Sequence, residues 1–138
     1  MSGQMQSQQR AYAWALLFLR LFIGGVVLLH ILGVLQNYDN ELLTCRTLLG
    51  LSAATSLAIT IIVEGLLAAM IILGFGTRLA ATLMMVISLL GFVELALDGQ
   101  MGSDMAKVEF LYIGIYITLM ISGGGAFAFN VPYERDEK

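Results

Sequence analysis

The sequence predicts an all-α fold, an integral membrane four-helix bundle, on three observations. Of its 138 residues 59% are apolar and only 12% charged, against about 45–50% and about 25% in soluble domains. Four apolar stretches hold most of the chain, each close to the roughly 20 residues that cross about 30 Å of hydrocarbon as a helix. Lipid offers no partner to an unpaired backbone N–H or C=O, so an apolar stretch of that length has to be helical.

The elements follow in order. Residues 1–12 form a polar cytoplasmic tail, whose Gln- and Ser-rich start Met1–Arg10 carries no structure of its own. Residues 13–130 form the membrane domain, with helices at about 13–35, 51–73, 79–97 and 108–129. The first segment is too long for a cleavable signal, and Gly33-Val34-Leu35-Gln36-Asn37 lacks a small-x-small cleavage pattern. A loop over 36–50 holds Asp39, Glu41, Cys45 and Arg46. Gly74-Phe75-Gly76-Thr77-Arg78 is a tight hairpin, and Asp98–Lys107 is the third connection. Gly123-Gly124-Gly125 reads as a helix end or break, and 131–138 is a charged cytoplasmic tail. Tyr12, Trp14, Tyr38 and Tyr133 stand at helix ends, as in an aromatic belt. Helix contacts should use small residues: Gly65 with Ala69, Ala54 with Ala58, and Gly24, Gly91 and Gly114.

Charge sets the orientation. If all four segments cross, Arg10, Arg78, Arg135 and Lys138 share one side, and Arg46 and Lys107 the other. Four against two favours both termini in the cytoplasm, which predicts a multi-pass protein of a bacterial cytoplasmic (inner) membrane. A net charge of −3 without a basic patch speaks against nucleic acid as a partner. The single cysteine, Cys45, excludes an internal disulfide and a CxxC pair. One histidine and scattered carboxylates supply no metal-ligand set. The eight methionines are apolar filler, none beside a His or Cys.

Ionisable residues within the apolar segments are the candidate site. Arg20 lies roughly 10 Å, and Glu64 roughly 14 Å, from the cytoplasmic ends of their helices at 1.5 Å per residue. An unpaired charge at such depth costs about 2.5–3.5 kcal/mol on insertion scales, so an Arg20–Glu64 ion pair is the economical reading. Arg78 at the hairpin mouth is a second partner for Glu64. The pair either fixes helix register or lets Glu64 exchange a proton; otherwise Arg20 snorkels to the headgroups. Toward the opposite face lie His30, Glu94 and Glu109, the last opening the fourth helix beside Lys107. They are either separate interfacial groups with water access or the lining of one polar pocket.

Taken together these residues resemble the DoxX family of small four-helix membrane proteins over about residues 16–130. Arg20, Gly24 and His30 keep the family's first-helix spacing. Glu64-Gly65 followed by Leu73-Gly74-Phe75-Gly76-Thr77-Arg78-Leu79-Ala80-Ala81 is similar to its Glu-Gly…Leu-Gly-x-x-Thr-Arg-x-Ala stretch. Glu109, Leu111-Tyr112 and the run from Gly123 to Asn130 resemble its last helix and its G-x-G-x-x-S-x-D ending. Ala128 and Asn130 replace the Ser and Asp of that ending, and Val34 stands where Lys is common. The resemblance implies a membrane protein of the kind that includes small subunits of thiosulfate:quinone oxidoreductase. A quinone held by His30, Glu94 and Glu109 is the cofactor it suggests.

Three functions are then open. The chain is a membrane subunit supporting a quinone-linked redox partner, a non-catalytic anchor or assembly subunit, or a small oligomeric proton-linked transporter. All three imply lipid and either a protein partner or further copies of the chain. With no flavin, haem or dithiol motif, the chain cannot itself store electrons.

Overall fold

Each long apolar segment becomes a helix in the computed structural model, which describes residues 2–45, 47 and 49–128. The elements are α1 (Ser2–Gln36), α2 (Tyr38–Thr44), α3 (Ala53–Leu73), α4 (Thr77–Leu97) and α5 (Asp104–Ser122). Four of them, all but α2, are long and apolar enough to cross a membrane. Arg46, Phe129, Asn130 and the 131–138 segment, with Tyr133, Arg135 and Lys138, lie outside the described residues.

The boundaries depart from the sequence expectation in three places, each for a local reason. Helix α1 begins at Ser2, so the polar start is helical instead of an unstructured tail. At 35 residues it is about 52 Å long against about 30 Å of hydrocarbon. Its polar first turns therefore stand beyond the bilayer. The first loop contains α2, which carries Asp39 and Glu41 in its first turn, where the helix dipole favours acids. Helix α5 starts four residues early because the Ser103 hydroxyl caps it, accepting from Ala106 N at 3.2 Å. It stops at Ser122, before the glycine run.

Helices α4 and α5 share the largest interface, α1 with α3 and α3 with α4 follow, and α1 with α5 is the slightest of the four. The diagonal pairs bring no backbones close together among the described residues and meet only through side chains, so the four helices form a ring with an interior. Ile23, Val27, Leu67, Ala68, Ile71, Ala80, Ala81 and Leu119 fill part of it. Large apolar side chains such as Phe22, Leu66, Leu90 and Phe110 instead face outward, the inverse of a water-soluble domain and the arrangement lipid favours.

Small residues act selectively. A Cβ on Gly24 would run into the Ile72 side chain and stand 3.4 Å from the Ala68 carbonyl oxygen, so Gly24 is what lets α1 lie close on α3. Gly65 faces Ile31 Cδ1 at 3.5 Å. Gly114 has open space, and Ala54 and Ala58 are exposed. The expected close contacts at those three positions are not made among the described residues.

Candidate functional site: a polar cleft inside the bundle

The last carbonyls of a helix lack intrahelical donors, and α3 ends inside the protein. Arg20 meets that need. Its guanidinium donates from Nε to Ile71 O (2.9 Å), from Nη2 to Ile72 O (2.9 Å) and from Nη1 to Gly124 O (2.7 Å). The side chain is 1% exposed. The positive charge also complements the negative end of the α3 dipole. Gly74 closes the same helix end in the left-handed region (φ 78°), with its N–H on Met70 O at 2.9 Å. A Cβ there would collide with Arg20 Nη2, so glycine is required twice over. One arginine thus ties α1 to the end of α3 and to the segment after α5.

This corrects the expected Arg20–Glu64 pair. Ile71 lies seven residues beyond Glu64, about 10 Å along the helix. The helices are antiparallel, with Arg20 level with Ile72 and Ile31 level with Gly65. Side chains lean toward the N-terminus of their own helix. Arg20 and Glu64 therefore lean in opposite directions, and comparing Cα depths alone misjudges the gap. Arg78 does not reach Glu64 either: it sits at the start of α4 and makes a long bond, 3.5 Å, to Ile121 O.

Glu64 instead joins the residues of the other face. His30 and Glu64 line one cavity of about 520 Å³ together with Glu94 and Glu109, one group from each long helix. Spacings of three and four residues put Met84, Ser88, Gly91 and Leu95 on one face of α4. Glu109, Tyr112 and Tyr116 share a face of α5 in the same way. Ser88, itself buried, lines the same cleft. Glu109 Oε2 is buried and meets no hydrogen-bond partner among the described residues. His30, Met105 and Val108 line the cleft and are exposed, so it opens along the loose seam between α1 and α5.

His30, Glu94 and Glu109 thus share one cleft, while Arg20 and Arg78 stand apart from it. Glu109 lies in the second turn of α5, not at its start, and Lys107 pairs with Asp104 at 2.9 Å. No three of the described His, Cys, Asp and Glu residues are placed to share a metal ion. Ser88, Tyr112 and Tyr116 were not among the expected site residues. Their helical spacing from Glu109 and Gly91 was the available signal.

The DoxX family model matches residues 15–93, more than half of the 138 residues. The chain belongs to the DoxX family. With its four apolar helices it is a multi-pass membrane protein. The DoxX match takes in Arg20, His30, Glu64 and Arg78 and stops one residue short of Glu94. Comparisons with curated proteins and with solved structures give no match.

Proposed function

We propose that this DoxX protein is a membrane subunit supporting a quinone-linked redox partner, and that the cleft receives the quinone headgroup. One observation carries the reading. Inside an apolar bundle, the buried Oε2 of Glu109 has no hydrogen-bond donor among the described residues, in a cavity of about 520 Å³, within the range of about 300–1,000 Å³ for small-molecule sites. A buried unsatisfied acceptor calls for an explanation, and a quinol hydroxyl is a donor that enters from lipid. Reducing a quinone to a quinol takes two electrons and two protons. The partner supplies the electrons, because a chain with a single cysteine holds no dithiol. His30, Glu64 and Glu109 are the proton-exchanging groups beside the quinone oxygens.

The test is gentle purification followed by mass spectrometry of retained lipids and proteins. The expected result is co-purified quinone, reduced about tenfold or more in Glu109→Leu, which removes a hydrogen bond to a charged group. A stoichiometric partner without quinone, and with no effect of Glu109→Leu, would replace this reading with that of an anchor subunit.

Both termini lie in the cytoplasm of a bacterial inner membrane in this proposal, a reading supported by the basic-residue count. Cys45, just past α2, then faces outward. A membrane-impermeant maleimide should label it in cells with a permeabilised outer membrane. Labelling only after the inner membrane is lysed would reverse the orientation.

A further inference from the structure

At the opposite end of the bundle from the cleft, a second hollow of about 690 Å³ lies between the α3–α4 hairpin and the glycine run after α5. Its lining includes Gly76, Thr77, Arg78, Ser122 and Gly124, and among the described residues no acidic one. Helix geometry leaves the N–H groups of the first turn of α4 without intrahelical acceptors. The N-cap, Gly76, has no side chain to serve them. The same helix end carries the positive pole of a 21-residue helix. Arg78 reaches across the hollow, its Nε 3.1 Å from where a Cβ on Gly123 would stand. Arg20 brings a second guanidinium behind the wall, against Gly74 and Gly124.

An independent observation points to a ligand. Thr77 is 4% exposed, and its hydroxyl lines this hollow, buried and without a hydrogen-bond partner among the described residues. A hydroxyl donor, a row of backbone N–H groups, a guanidinium and a helix N-terminus make the donor set that binds phosphate. A Cβ on Gly124 would collide with the Ala128 side chain and stand 2.9 Å from Thr77 Oγ1, so glycine lets the segment after α5 fold over the wall of the hollow without covering the hydroxyl. We infer that this hollow is a phosphate-type oxyanion site, filled by a phospholipid headgroup or by free phosphate, with Thr77 and Arg78 as its side-chain ligands.

The site lies where α3, α4 and α5 end, toward the headgroups in the proposed arrangement, so both sources reach it. The test uses the full chain in a neutral detergent. Inorganic phosphate is titrated in one arm and phosphatidylglycerol in the other, and thermal unfolding and native mass spectrometry are followed in both. Saturable stabilisation by phosphate assigns the free anion; retained and stabilising lipid without a phosphate response assigns the headgroup. In either case Arg78→Gln and Thr77→Val should each weaken binding about tenfold or more, the value of a hydrogen bond to a charged group. Thr77→Ser should keep it. Arg78 is exposed, so Arg78→Gln should still fold and carries the test if Thr77→Val does not. Absence of binding in both arms, or binding unchanged in Arg78→Gln, overturns the inference.

Discussion

Replacing Arg20 with methionine is expected to remove several kcal/mol of stability. Three hydrogen bonds from a charged donor, at about 1.5–3 kcal/mol each, sum to roughly 4–9 kcal/mol. Water at headgroup level can serve some of the freed carbonyls, which places the expectation near the lower figure. That is still comparable to a domain stability of about 5–15 kcal/mol. Arg20→Lys should recover only part, because one ammonium cannot reproduce a planar fork reaching three carbonyls. Glu64→Leu supplies the decisive comparison. If the two residues were partners, Arg20→Met with Glu64→Leu would restore much of the loss. With the guanidinium on the α3 carbonyls, the two effects should add within about 0.5 kcal/mol. Reversible unfolding in detergent measures the parent and the four variants. Recovery in the double variant, or an Arg20→Met protein within about 1 kcal/mol of the parent, would refute the assignment.

Gly91→Leu is expected to empty the cleft while sparing the bundle. A Cβ at Gly91 stands 3.4 Å from both Cδ and Oε1 of Glu109, an ordinary contact, so the first carbon is tolerated. The rest of the isobutyl group has to enter the cavity beside the carboxyl. Overpacking of this kind typically costs about 1–3 kcal/mol, whereas a headgroup in the same volume is excluded outright. Equilibrium dialysis with a short-chain quinone should show binding lost by about a hundredfold, the effect of roughly 2.7 kcal/mol, with helical content unchanged. Gly114→Leu is the control, because that position opens on free space. Equal losses in the two variants would show that the bundle and not the cleft was being tested. Full binding in Gly91→Leu would place the quinone elsewhere.

The sequence by itself determined the class of the molecule. Four stretches of apolar residues leave the backbone no choice but helix in lipid, and their lengths are set by the bilayer. The hairpin at Gly74–Gly76 was equally legible, since a left-handed turn between apolar runs demands glycine; the glycine run at Gly123 read as a helix end or break, although the helix was expected to reach about residue 129 and stops at Ser122. The placement of His30, Glu94 and Glu109 toward one face followed from the 1.5 Å rise alone. What only the tertiary structure decided is which partner each ionisable group meets. Depth along a helix is a one-dimensional quantity, and it made Arg20 and Glu64 neighbours. Contact depends also on rotation about the axis and on the lean of each side chain toward its own N-terminus. In antiparallel helices that lean separates the two residues, sending Arg20 to the open end of α3 and Glu64 to the cleft. The cleft itself exists because the helices form a ring in which α1 and α5 barely meet, a property of the assembled bundle that belongs to none of its segments.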